Sequence, residues 1–141
     1  MLFVLDNSVS MRWLFKDGTE ADLLYAEQVL EALKEGSSVV PGVWWLEVSN
    51  VIVRAEAQQL LPETQSRKFL DTLRKMPITV DSSPVEQLWE QTLHLARKFH
   101  LSAYDVAYLE LAIRQNIVLA TLDTDLSRAG EAIKNSIILK I

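Results

Sequence analysis

The chain has no cysteine and only four glycines and two histidines in 141 residues, and acidic side chains outnumber basic ones by 19 to 14. Without cysteine there is no disulfide, thiolate metal site or cysteine nucleophile, so any metal must sit on oxygen or imidazole. The scattered glycines make neither a phosphate-cradling loop nor a Gly-x-Ser-x-Gly elbow, which sets aside nucleoside-triphosphate binding and a serine-hydrolase triad. His94 and His100 lie on or beside a helix, at the spacing of structural residues. No apolar run is long enough to span a bilayer, and Met1 to Asp6 lacks the basic start and the length of a signal peptide. The expected compartment is the cytosol, with no membrane partner. A net charge of −5 offers no basic face to nucleic acid, unless much of the negative charge is gathered in one place.

What is present suits a single packed domain over residues 1–141, since 49% of the chain is hydrophobic and 23% charged, against the balance of a disordered segment. Leu2 to Leu5 reads as a strand ending in Asp6-Asn7-Ser8. Thr19 and Asp22 form a capping box for a helix that Gly36 stops, and Ser38 to Val40 is a second strand. Pro41 starts a helix running toward Leu60 that is apolar on most sides, and Pro62 starts another reaching about Met76. Ile78 to Val80 is a brief strand. Ser83-Pro84 opens a helix with one buried stripe through Val85, Leu88, Trp89, Ala96 and Phe99. Ser102 and Asp105 have capping-box spacing ahead of a helix over Ala103 to Gln115. Ile117 to Leu122 is a buried strand, Leu126 to Lys134 a helix, and Ile137 to Ile141 a final strand. The alternation predicts an α/β fold, a three-layer α/β/α arrangement with a mostly parallel sheet of about five short strands.

In open parallel sheets ligands bind outside the carboxyl ends of strands, and two of these strands end in aspartate, Asp6 and Asp123. Glu47, Asn50 and Arg54 form one polar stripe on the Pro41 helix. Asp105 is the lone charge in its stretch. Singly, each aspartate is explained as a cap or turn residue, and Glu47 as an ion-pair partner of Arg54. Brought together bare, each close pair of Asp6, Glu47, Asp105 and Asp123 would repel by roughly 4 kcal/mol at about 4 Å and an effective dielectric of about 20. Such a cluster demands a cation or raised pKa values. Hard oxygen ligands select Mg²⁺, Mn²⁺ or Ca²⁺, and a few carboxylates around Mg²⁺ serve phosphoryl-transfer chemistry.

Taken in order, Val4-Leu5-Asp6-Asn7-Ser8, Glu47-Val48-Ser49-Asn50, Ser102-Ala103-Tyr104-Asp105-Val106-Ala107-Tyr108 and Thr121-Leu122-Asp123-Thr124-Asp125 resemble the motifs of PIN-domain ribonucleases, most closely the VapC toxins of toxin–antitoxin pairs. The resemblance covers essentially the whole chain. It implies that Asp6, Glu47, Asp105 and Asp123 are the acidic metal-binding and catalytic set, with Asp125 a further metal ligand and Ser8, Asn50 and Thr121 in support. It implies a Mg²⁺- or Mn²⁺-dependent endoribonuclease, a homodimer, and an antitoxin whose tail enters the active-site groove. Asn7, where a small residue is more usual, and Leu126, where an aromatic is frequent, depart from the pattern without removing a carboxylate. Arg12, Arg54 and Arg128 lie near the motifs as candidate phosphate contacts. Trp13, Phe15, Trp44 and Trp45 offer apolar surface to a dimer or an antitoxin helix, or plain core. A haloacid-dehalogenase phosphatase would need an aspartate where Ser8 stands. The rival reading is a non-catalytic PIN-like module that binds RNA or protein without cutting.

Overall fold

The structure, a computed structural model, describes residues 1–141 and alternates short strands with helices. Strand β1 (Leu2–Leu5) leads into α1 (Asn7–Phe15) and α2 (Glu20–Glu35), and β2 (Ser37–Val40) into α3 (Val43–Ala57) and α4 (Glu63–Arg74). Strand β3 (Ile78–Val80) is followed by a 3₁₀ turn (Val85–Leu88), α5 (Trp89–Phe99) and α6 (Ala103–Gln115). Strand β4 (Val118–Ala120) and α7 (Thr124–Ala132) complete the chain's regular elements. Gly36 ends α2 as expected, though through a close approach and not a left-handed cap. A Cβ there would lie 2.3 Å from the carbonyl oxygen of Met1, where β2 comes alongside the start of β1.

The four strands are parallel, in the order β3-β2-β1-β4. The chain moves outward from β1 through β2 to β3 and then crosses back to place β4 on the far side of β1. This reversal makes a topological switch point between β1 and β4, with a crevice outside their carboxyl ends. The core beneath it mixes aliphatic and aromatic side chains, with Phe3, Val4, Leu5, Leu119, Ala120, Trp44, Tyr108 and Leu109 all fully buried. No helix is long and apolar enough to cross a membrane.

Two expectations fail, the second in part. The sheet has four strands and not five, because the Ile137 to Ile141 segment makes only an isolated bridge, Leu119 to Ile138. Asn135 and Ser136 take left-handed backbone angles just before it, and the Leu139 carbonyl is captured by the Tyr25 hydroxyl at 2.7 Å, so the ladder stops. The buried stripe of the fifth helix is made only in part: Ala96 and Phe99 are half-buried and pack against the core beside the buried Leu95, but Val85 is 79% and Trp89 65% exposed. The 3₁₀ turn shifts the phase of Val85 relative to α5, which breaks the 3.6-residue periodicity on which that stripe depended. Helix α3 is apolar on most sides, as expected, and buries only one of those sides. Trp44, Val48, Ile52 and Ala55 face the core while Leu46 and Val53 face solvent.

Candidate active site

Asp6 follows β1 directly, and Thr121 follows β4. Because Leu5 pairs with Ala120 in the parallel register, the next residue on each strand falls side by side at the crevice. The Thr121 hydroxyl donates to Asp6 Oδ2 at 2.7 Å, and the Ser8 hydroxyl donates to the same oxygen at 2.6 Å. Ser8 is itself held by the backbone N–H of Leu122 at 2.9 Å. Asp6 occupies the N-cap position of α1 but makes no side-chain cap bond, so the capping explanation for it fails. Both hydroxyls converge on Oδ2, and Oδ1 is left for another partner. Burial raises the Asp6 pKa to about 6 despite those two hydrogen bonds, with the charges of Glu47 and Asp105 adding to the rise.

Glu47 reaches the crevice from α3, half-buried between the core positions Trp44 and Val48. Its partner is not Arg54, which is exposed and makes no ion pair. It is Tyr108 of α6, whose hydroxyl donates to Glu47 Oε1 at 2.5 Å. Burial first, then the charges of Asp105 and Asp123, raise the Glu47 pKa, and the Tyr108 bond lowers it. Asn50, one turn on, is exposed at the mouth of a cleft of about 510 Å³ lined by Val43, Leu46, Glu47, Asn50 and Tyr104. The polar stripe therefore exists, but Glu47 alone of its three members turns inward.

Asp105 lies in the first turn of α6, where the Ser102 hydroxyl accepts from its backbone N–H at 3.1 Å. Its carboxylate does not return the bond to the Ser102 amide, so the capping box is half made. Burial and then the charges of Asp123 and Asp125 raise its pKa. Asp123 does cap a helix: it is the N-cap of α7, and its Oδ1 accepts from the Leu126 N–H at 2.8 Å. Its other oxygen remains for the crevice. Asp125 is exposed, 3.8 Å from Arg128, and acts on Asp105 from the rim. Arg128 lines a shallow cleft with Thr121 and Asp123. Arg12 is engaged by Asp17 at 2.8 Å, beside Gly18 and Asp22.

The four acids therefore act on one another from the end of β1, from α3, from α6 and from the N-cap of α7. What lowers the pKa values of Asp6, Glu47 and Asp105 is hydroxyl groups alone, those of Ser8, Thr121, Tyr108 and Ser102; no lysine or arginine is among the causes. No three His, Asp or Glu side chains are grouped closely enough to hold a metal ion as they stand. The donor set still fits a hard divalent cation of the Mg²⁺ kind, which keeps several waters and takes only one or two carboxylates directly. Tyr108 is the functional residue that sequence reasoning missed. It stands three residues after Asp105 on the same helix face, but a tyrosine in an apolar helix reads as core.

Comparison with known proteins agrees with this fold. The family model described as PIN domain matches residues 3–132, and the chain belongs to the PIN-domain family. Within it, the chain is similar to VapC ribonuclease Mb0985 of Mycobacterium bovis and to ribonuclease VapC9 of Mycobacterium tuberculosis. Each is 30% identical over 131 residues, 93% of both chains. The crystal structure of PAE2754 from Pyrobaculum aerophilum shares the fold, with a TM-score of 0.65 at 18% identity over 92% of this chain and 87% of that one.

Proposed function

We propose that this chain is the endoribonuclease of a toxin–antitoxin pair, and that Asp6, Glu47, Asp105 and Asp123 hold Mg²⁺ or Mn²⁺ for hydrolysis of RNA phosphodiester bonds. The observation that supports the site assignment is uncompensated charge: Asp6, Glu47 and Asp105 are each pushed up by burial and by neighbouring acids, Asp123 among them, and no basic side chain is among the influences on those three. A divalent cation held by these acids would supply an acidified water for in-line attack on phosphorus and would offset charge on the attacking and leaving oxygens.

The protein's own residues supply the rest. Ser8 and Thr121 fix Asp6 so that Oδ1 faces the cation, Tyr108 steadies Glu47, and the Asp123 oxygen not engaged with α7 completes the set. Asp125 stands at the rim as a further acid. Asn50, with two amide donors, and Arg128 are placed to meet RNA phosphates in the clefts beside Glu47 and Asp123. A protein antitoxin would close the same groove.

The homodimer is assigned to a different surface from the aromatic one expected. Trp44 is fully buried and Trp13, Phe15 and Trp45 pack against the core, with the Trp13 indole donating to the Ala26 carbonyl at 2.9 Å. Among the exposed apolar residues, Leu46 and Val53 of α3 and Val85 and Trp89 before and on α5 are the ones we assign to the dimer surface, with others such as Leu24, Leu60 and Tyr104 elsewhere on the surface. A monomer mass by light scattering at micromolar concentration would count against this assignment.

The deciding experiment incubates the purified chain with single-stranded RNA in Mn²⁺, Mg²⁺ or EDTA. Fragments that require metal and vanish in Asp105→Asn support the reading. Binding without cleavage, equal with and without metal, would leave the non-catalytic module in its place.

A further inference from the structure

We propose that Tyr108 is a positioning residue of this site: its buried hydroxyl holds Glu47 in the orientation that cation binding requires. The inference rests on the reading of the acids as a cation site. Tyr108 is fully buried, and a phenylalanine would fill the same space, so packing explains the ring and not the hydroxyl. That hydroxyl donates at 2.5 Å to Oε1 of Glu47, 61 residues away on α3. It is the only side-chain hydrogen bond among the influences on Glu47. The charge of Asp6 and the backbone amide of Asn7 act on the same phenol, so one hydroxyl sits where β1, α3 and α6 meet.

A flexible glutamate on a partly exposed helix loses rotamer freedom on binding. A donor that fixes it beforehand leaves Oε2 presented to the crevice, as outer partners do for metal-bound carboxylates elsewhere. Without the donor, Glu47 would be a half-buried carboxylate free to swing toward the open cleft beside Asn50 and Tyr104.

The test is a Mn²⁺ titration read by thermal melting, alongside RNA cleavage rates, on wild type, Tyr108→Phe, Glu47→Gln and the double variant. Tyr108→Phe is expected to raise the Mn²⁺ midpoint about tenfold while cleavage at saturating Mn²⁺ recovers to within a few-fold of wild type. In the Glu47→Gln background Tyr108→Phe should add nothing. A Tyr108→Phe midpoint equal to that of wild type, or an undiminished shift without Glu47, overturns the proposal. Should Tyr108→Phe fail to fold, ¹³C-tyrosine wild type serves instead. The Tyr108 ring signal should move on Mg²⁺ addition and stay still in Glu47→Gln; a signal that ignores Mg²⁺ in wild type overturns the proposal. A wild type indifferent to Mn²⁺ in both melting and cleavage removes the cation reading itself, an outcome distinct from a Tyr108 variant that behaves as wild type.

Discussion

Helices α2 and α6 open with the same local pattern, a hydroxyl residue followed three positions later by aspartate, and they use it differently. At α2 the box closes: the Asp22 N–H donates to the Thr19 hydroxyl at 3.1 Å, and the Thr19 N–H donates to Asp22 Oδ2 at 3.4 Å. At α6 the hydroxyl half is made at 3.1 Å, but the Asp105 carboxylate withholds its half and stays among the other acids. Asp22 is half-buried like Asp105, but it lies beside Gly18 and Arg12 at the start of α2, where closing the cap satisfies the group locally. Asp105 stands over a switch-point crevice, and a carboxylate there without a cationic partner is disfavoured unless something outside the chain compensates it. An acid that leaves its cap half made is thus a better functional signal than the pattern itself.

The strongest way to break this comparison is by activity. Asp105→Asn is expected to reduce RNA cleavage about a thousandfold, the size of loss typical when a preorganised electrostatic group is removed. Asp22→Asn should leave the rate unchanged. Equal rates in wild type and Asp105→Asn would reduce Asp105 to an ordinary cap.

Next in size is the pH dependence of metal-free stability. The folded Asp6 pKa is about 6, raised from 3.8. Below pH 3.8 the group is neutral in both states and stability is highest. Between 3.8 and 6 the unfolded chain ionises first, so stability falls with rising pH, by at most about 3 kcal/mol. Asp6→Asn should remove the largest share of this slope and leave the part due to Glu47 and Asp105, Asp105→Asn should reduce it, and Asp22→Asn should not touch it. Urea midpoints at pH 4 and 7 measure it, and a wild type that gains stability across that window would contradict the burial argument. Cleavage is expected to decline below about pH 6 as Asp6 takes up its proton.

A comparable effect comes from metal. At about a hundred times its dissociation constant, Mn²⁺ should stabilise wild type and Asp22→Asn by roughly 2.7 kcal/mol. Asp105→Asn should lose this gain yet melt as high as wild type or higher in EDTA, because repulsion is relieved. The smallest effect belongs to the completed cap: Thr19→Ala should lower stability by about 1 kcal/mol with no change in the response to Mn²⁺.

Much of this was legible in residues a few positions apart. The strand end at Asp6, the closed box at Thr19 and the helix start at Ser102 are local features, and the structure bears them out; β4 instead stops at Ala120, which leaves Asp123 as the cap of α7 rather than a strand end. The fifth strand and part of the buried stripe of α5 were misread for related reasons. Hydrophobic periodicity does not register the left-handed turn at Asn135 and Ser136, nor the phase break that the 3₁₀ turn over Val85–Leu88 introduces.

The sequence by itself determined which acids this protein has, which elements carry them and which family they belong to, because capping, periodicity and motif order act over a few residues at a time. The tertiary structure alone decided what each acid touches. Asp6 meets Thr121 across 115 residues and Glu47 meets Tyr108 across 61, through the parallel register of β1 with β4 and the packing of α3 near α6. Those partners are set by the closing of the sheet around its switch point, and no short stretch of chain encodes them.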